Sequence, residues 1–246
     1  MSSSRNNLVQ KALDHLTGEI LANRLRPNQS IREPEIAATL GISRSPVREA
    51  LRILERDGLV VYRQGRGTFV ADITPEDADE LYLIHGHLMG LAVKLACQKM
   101  TGEDVTELEA LVAGLAAAAE EDDRSGFLAV RSRVERFIAS RSLSPRLARL
   151  IETMGYPCAR YRSFHVAVPG YMSHVAEAYR GICMAFRSKD EASAEQLRVD
   201  IIDLGRSLLQ RYFFEPLQGR AEPPAAGSPR GPYDGDADVK ERARNG

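Results

Sequence analysis

Apolar positions in the first quarter of the chain recur with a helical period. Leu8, Ala12, Leu16, Ile20 and Leu21 share one face of a predicted helix over about 8–23, with Lys11, Asp14 and Glu19 between them. Asn23, Pro27 and Asn28 interrupt that pattern, and both asparagines tolerate left-handed backbone. A short helix over Glu33 to Leu40 follows, its face made by Ile36, Ala37 and Leu40, and Gly41 stands where a glycine commonly closes a helix. Ser43 reads as the N-cap of a third helix running to about Asp57, with Ser45-Pro46 as an alternative start. In that helix Val47, Leu51 and Leu54 face inward, while Arg44, Arg48, Arg52 and Arg56 recur every four residues on the other side. Beyond Gly58, Leu59–Tyr62 and Thr68–Ala71 are β-rich runs around Arg63-Gln64-Gly65-Arg66-Gly67, the signature of a hairpin.

Helix, helix, turn, helix and hairpin in that order make a winged helix-turn-helix, assigned to residues 8–72 after a flexible N-terminus over 1–7. From Thr74-Pro75-Glu76-Asp77 onward, capped helices replace strands. Helical segments are predicted over 75–99, 102–120, 124–140, 144–164, 169–188 and 190–214, punctuated by Thr101-Gly102, Asp122-Asp123, Ser142 to Pro145, Pro169-Gly170 and Lys189-Asp190. The fold class expected is mainly α: three helices plus a β-hairpin wing, joined to an all-α helical-bundle effector domain over 73–216. Residues 217–246 are rich in Pro, Gly, Ala, Arg and Asp and are expected to be a disordered tail.

Charge sharpens this picture through its distribution. Lys and Arg number 33 against 34 Asp and Glu, so the total implies no nucleic-acid partner. Between Ser43 and Gly67, however, six arginines face only Glu49, Glu55 and Asp57. A local basic patch in a neutral chain is the footprint of a DNA-binding module attached to something else. Cys97, Cys158 and Cys183 are far apart and read as small core residues, neither a disulfide framework nor a metal site. The polar N-terminus has no signal-peptide core and no stretch matches a membrane span, so a cytoplasmic protein without a membrane partner is expected.

Chemistry concentrates in Leu40 to Leu59. Ser43 and Ser45 offer hydroxyls to phosphate, and the amides opening the third helix point toward an anion. Arg44 and Arg48 project from its first turns, where a major-groove helix meets base edges and an arginine reads guanine through two hydrogen bonds. Arg32 and Arg52 are placed for the phosphate backbone. The wing tip Gly65-Arg66-Gly67 suits the minor groove, with Arg66 following its negative potential. An arginine row at this spacing is ordinarily a solvated face; the preceding glycine turn and the following hairpin are what favour a groove reader. No nucleophile elbow, phosphate loop, dinucleotide fingerprint or His-Glu-x-x-His is present, so an enzyme is not expected.

Ser43-Arg44-Ser45-Pro46-Val47-Arg48-Glu49-Ala50-Leu51, Leu54, Asp57-Gly58-Leu59-Val60 and Gly65-Arg66-Gly67-Thr68-Phe69-Val70 strongly resemble the GntR family of bacterial regulators. Asp77 with Glu80-Leu81-Tyr82, and Lys189-Asp190-Glu191-Ala192, resemble its FCD subgroup, with an all-helical effector domain. The resemblance implies a homodimer on a palindromic double-stranded operator and a small-molecule effector; repression is the expected sign of control, although the residues themselves do not distinguish a repressor from an activator. Many FCD domains hold a divalent metal through an Asp, a Phe-His pair and two later histidines. Placing Phe137 on that pattern puts Val134, Ile138, Tyr179 and Ile201 at the ligand positions, and His85 where the family's first-helix arginine stands. Neither metal nor cofactor is therefore expected. His85 and His87, two apart on a helix, point away from one another; His165 and His174 flank the Pro169-Gly170 break and can approach.

The effector pocket implied by the resemblance would be lined by Tyr82, His85, Arg131, Glu135, Tyr156, Arg160 and Tyr179. Both an organic acid, held by Arg131 or Arg160, and an apolar metabolite remain open. Taken singly, Arg131, Glu135 and Arg160 also read as surface ion pairs and the tyrosines as core. A competing reading makes the helical half a dimerisation domain of a ligand-independent DNA binder.

Overall fold

The computed structural model describes residues 2–215, the side chains of residues 2–5 and of Tyr156 excepted; the predicted tail over 217–246 lies outside the described residues. Helix α1 (Ser2–Leu21) buries Ala12, Leu16 and Ile20 of the expected stripe, while Val9 takes the inward place expected of Leu8, which is exposed, and Leu21 is half-buried. Asn23 (φ 55) and Asn28 (φ 61) take the left-handed turns after it. Strand β1 (Ser30–Ile31) leads into α2 (Glu33–Leu40), α3 (Arg44–Arg56) and the hairpin of β2 (Val60–Arg63) and β3 (Gly67–Val70). The sheet order is β1-β3-β2, antiparallel throughout, with Ile31 opposite Thr68 and Tyr62 opposite Thr68 on the other edge. Sequence reading missed β1, because two residues show no alternation. Ile31, Ala37, Val47, Leu51, Leu54, Leu59 and Val70 join the α1 stripe in one core.

The α2–α3 turn depends on Gly41. At φ 65 it stands in the left-handed region, and its N–H and that of Ile42 close the orphan carbonyls of Ala38 and Ala37.

Seven helices follow: α4 (Pro75–Lys99), α5 (Gly102–Glu120), α6 (Arg124–Arg141), α7 (Pro145–Thr153), α8 (Gly155–His165), α9 (Tyr171–Ser188) and α10 (Glu191–Leu209). Thr74 caps α4 by accepting from the Asp77 amide, and Thr101 with Asp104 forms a reciprocal capping box on α5. Helix α4 packs on α10 and α6, and α9 packs between α5 and α10. Their shared core runs from Val93 and Leu108 through Phe127 and Ile138 to Val175, Phe186 and Ile201.

Three boundaries differ from expectation. Helix α1 begins at Ser2, inside the segment over 1–7 expected to be flexible, because Ser2 to Asn7 hold no proline or glycine that would stop the helix from extending. The single helix predicted over 144–164 is two, parted at Met154. Pro157 has no N–H to offer the Thr153 carbonyl and stands in the first turn of α8, where no such donor is needed, so the helix restarts rather than continues. The last predicted helix also changes form: after Leu209 it widens into a π turn over Gln210–Phe214, in which Phe213 lies 4.4 Å from the Phe164 ring and Phe214 is buried.

The two helical regions meet along α8. Arg160 donates to the carbonyls of Ala71 (2.6 Å) and Asp72 (3.2 Å) in the connecting segment, Tyr161 Oη donates to Asp77 at 2.5 Å, and α8 packs on α1.

A Cβ at Gly41 would meet nothing within 4 Å, so the cost of Gly41→Ala is conformational alone. We expect a loss of about 1 kcal/mol on chemical denaturation, with part of it restored in Gly41→Asn, whose side chain tolerates left-handed backbone.

Candidate nucleic-acid interface and buried charge cluster

Helix α3 separates two chemistries. Pro46, Val47, Ala50, Leu51 and Leu54 are buried, and Arg44, Arg48 and Arg52 on the opposite side are exposed. Ser43 has the extended backbone of an N-cap (φ −74, ψ 165), but its hydroxyl makes no cap hydrogen bond. The helix start thus presents its amides together with the exposed Ser43 and Ser45 side chains.

Arg48 reaches back to α2, with Nη2 2.7 Å from Glu33 Oε2 and Nε 3.0 Å from Oε1. This two-pronged pair fixes the direction of a long side chain and, through its hydrogen bonds, holds the Glu33 carboxyl below its ordinary pKa. Arg32 is exposed, with Nη1 3.4 Å from Glu35. A groove lined by Glu33, Arg48, Arg52, Glu55, Tyr62 and Thr68 runs between these helices and the hairpin. Gly65 (φ 72) and Gly67 (φ 93) turn the hairpin tip and leave Arg66 exposed there. Two residues of this region were not anticipated. Tyr62 is an exposed aromatic (58%) on the groove wall, and Arg63 stacks over the Phe69 ring at 4.7 Å while donating to Asn28 Oδ1 at 2.6 Å.

The second constellation lies inside the helical domain. Glu135 on α6 is buried, and three guanidiniums converge on it. Arg162 Nη2 on α8 lies 2.8 Å from Oε2; Arg131 Nε on α6 and Arg198 Nη2 on α10 lie 3.4 and 3.5 Å from Oε1. Tyr179 Oη donates to the same Oε1 at 3.2 Å, and Arg131 also donates to the Tyr171 hydroxyl. All three arginines are buried, Arg198 completely. Burial pushes the Glu135 carboxyl upward, yet the charges of Arg162, Arg131 and Arg198 hold it well below the usual carboxylate range. Tyr82, His85 and His165 border the cluster: the Tyr82 hydroxyl lies 3.4 Å from His165 Nδ1, and the His165 and Tyr171 rings are 5.1 Å apart. Burial followed by the repulsion of Arg162 lowers the His85 pKa, and burial with Arg131 and Arg162 takes His165 down to about 3.

Of the residues expected to line an effector pocket, Tyr82, His85, Arg131, Glu135 and Tyr179 gather here, and the side chain of Tyr156 lies outside the described residues. Arg160 is elsewhere, on the connecting segment. Two positions on a helix are separated by about 200°, so with Arg162 turned inward Arg160 must turn away. Arg162 and Arg198 were missed, although the sequence carried a signal for Arg198. It interrupts the apolar stripe Ala194, Ile201, Gly205 and Leu208 of α10 at a core register position.

Val134, Ile138, Tyr179 and Ile201, the positions implied for metal ligands, are all packed into the main core. They do not fit a divalent cation. Three are hydrocarbon; the phenol of the fourth is pushed upward by burial and by Glu135, and the arginines would repel a second cation. Among the described residues, no group of three or more His, Cys, Asp or Glu side chains is arranged to hold a metal ion. His165 is buried against Tyr82, while His174 lies in a groove with Asp200 and Asp203.

Comparison with known proteins follows the same division of the chain. The family model described as bacterial regulatory proteins, gntR family, matches residues 8–70, and that of the FCD domain matches residues 80–203. The chain is 29% identical over 193 residues to a probable D-xylose utilization operon transcriptional repressor of Paenarthrobacter nicotinovorans, spanning 78% of this chain and 84% of that one. It is 40% identical over 84 residues to the HTH-type transcriptional regulator YdhC of Bacillus subtilis, covering 34% of this chain and 38% of that protein. The solved structure of E. coli McbR/YncC superposes with a TM-score of 0.72 at 24% identity, over 82% of this chain and 97% of the other. A putative regulator from Rhodococcus superposes with a TM-score of 0.66 at 23% identity, over 82% and 97%.

The buried histidines make stability depend on pH. Both have folded pKa values below the ordinary 6.5, so between that value and the folded one the unfolded chain binds more protons. Their contribution is full above pH 6.5 and is lost as pH falls. From pH 7 to 5 His165 should cost on the order of 2 kcal/mol, and His85 adds a loss of the same sign. Thermal unfolding should show a falling Tm over this range, with a shallower slope in His165→Asn.

Proposed function

The chain belongs to the gntR family of bacterial regulatory proteins and carries an FCD domain, and on that premise we propose that it represses transcription as a homodimer bound to a palindromic operator, under the control of a small metabolite. It is a DNA-binding transcription regulator and not an enzyme. The observation that carries the finer reading is the exposed basic face of α3, with Arg44, Arg48 and Arg52 beside an arginine-tipped wing. Arg44 and Arg48 meet base edges; Arg32, Ser43, Ser45 and Arg52 meet phosphates; Gly65, Arg66 and Gly67 enter the minor groove.

Two copies place their recognition helices about 34–36 Å apart, one helical repeat of DNA, and thereby read a two-fold operator. The relative named as a probable operon repressor supports repression as the sign of control. No described helix is long and apolar enough to cross a membrane, and a reader of operator DNA works in the cytoplasm. The helical domain carries control without a metal. A metabolite in it shifts the population between forms with different helix spacing, and a differential affinity of about 1–3 kcal/mol between them suffices.

Selection from random duplex DNA tests the reading. The wild type should enrich a short palindrome. Arg44→Ala and Arg48→Ala should each cost ~1–3 kcal/mol and relax the base preference at one position of each half-site. Arg66→Ala should weaken all sequences alike, with a salt dependence reduced by about one. An enriched site without two-fold symmetry would count against the dimer.

A further inference from the structure

The positions implied for metal ligands hold Val134, Ile138, Ile201 and the Tyr179 phenol, and beside them stands a cluster with an excess of positive charge. Three buried guanidiniums share one carboxylate, a formal excess of two positive charges. Part of their hydrogen-bonding capacity is unspent: Arg162 Nε and both Nε and Nη1 of Arg198 are buried without a protein acceptor. Unpaired charge at such depth is costly, and a fold retains it where an anion completes the pairing. A cavity of about 330 Å³ reaches the cluster. Its inner wall carries Arg162, Glu135 and His85, its sides carry the apolar groups of Ile151, Ala159 and Leu21, and Arg136 and Glu152 offset one another in its lining. The volume is at the small end of the ~300–1,000 Å³ usual for ligand sites.

We propose that this cavity is the effector site, and that it binds a small organic carboxylate directly through Arg162, which lines it, instead of through a metal, with Arg198 adding its charge from behind Glu135. This deepens the regulatory reading above and rests on it. Glu135 is the internal competitor, holding the guanidiniums apart until the ligand carboxylate shares them. The apolar sides take a short aliphatic or aromatic body. The site also lies at the joint between the domains. Leu21 is the last residue of α1, and Arg162 stands two residues from Arg160, which grips the Ala71 and Asp72 carbonyls. An occupant therefore touches the DNA-binding domain on one side and the helix that holds its connection on the other.

The test uses the full chain and matched probes: acetate to octanoate, benzoate, phenylacetate and succinate, each beside its uncharged amide. Thermal unfolding at constant ionic strength should show at least one carboxylate raising Tm while its amide is silent. Glu135→Gln removes the competitor, and the same carboxylate should bind it about tenfold more tightly or better. Arg162→Met should abolish the shift; should that variant fail to fold, Leu21→Trp, which narrows the cavity without altering its charge, should weaken the shift instead. Carboxylate and amide acting alike, or no carboxylate shifting either the wild type or Glu135→Gln, overturns the anion site. Operator binding by the ligand-free protein is measured in parallel. Its loss with the anion shift intact would sink the regulatory reading alone, and its persistence without any shift would sink the site alone.

Discussion

The Glu135 carboxylate joins three helices that are distant in sequence, α6, α8 and α10, through Arg131, Arg162 and Arg198. Each ion in this group gives up solvation worth several kcal/mol, which mutual attraction returns only where the geometry is good. Only the contact with Arg162, at 2.8 Å, is short; those with Arg131 and Arg198 are 3.4 and 3.5 Å. The arrangement is thus a centre of strong charge that is incompletely paired. Residues around it answer to that charge. Tyr171 and Tyr179 turn their hydroxyls into it, and His85 and His165 stay neutral beside it. The surrounding helices are set by a hydrocarbon core that passes through Val134, Ile138 and Ile201, so the cluster is supported by packing and does not itself carry the fold.

Helix α8 makes this interior matter to the rest of the molecule. It begins late, because Pro157 prevents continuation from α7, and it is short. One side sends Arg162 to Glu135; another sends Arg160 to the connecting segment; Tyr161 bonds Asp77 near the start of α4. This small element is held at three points. Any redistribution of charge around Arg162 therefore bears on the segment that leads from the wing into α4, and a ligand with unequal affinity for two placements of α8 shifts the DNA-binding domain by linkage.

The DNA-binding half was legible because its punctuation is local. Gly41, Ser45-Pro46, Gly58 and the wing glycines each impose a conformation within a few residues, and the apolar stripe of α3 leaves no choice about which side faces out. Strand β1 escaped, since two residues paired to Phe69 and Thr68 carry no pattern of their own, and so did the first turns of α1, where a polar run shows no apolar stripe. In the helical half most boundaries were legible from caps, as at Thr74 and Thr101, and five of the pocket candidates do meet. The errors share a cause. Arg160 and Arg162 cannot be sorted into outward and inward until the phase of α8 is known, and that phase is reset by the break at Met154. Arg198 was passed over because a charged residue on an apolar stripe violates the rule by which stripes are recognised.

That violation is the informative feature. A completely buried arginine in the middle of α10 weakens the packing that a leucine there would provide, and the neighbouring stripe of Ala194, Ile201 and Leu208 shows that the helix is otherwise built for hydrocarbon. With one carboxylate shared among three guanidiniums, stability alone would favour either a second acid or fewer bases. The same excess that is a liability in the empty cavity becomes, in the proposed anion site, the source of affinity. It is directional through guanidinium forks, and it sits beside α8, which lines the pocket with Arg162 and holds the connecting segment with Arg160.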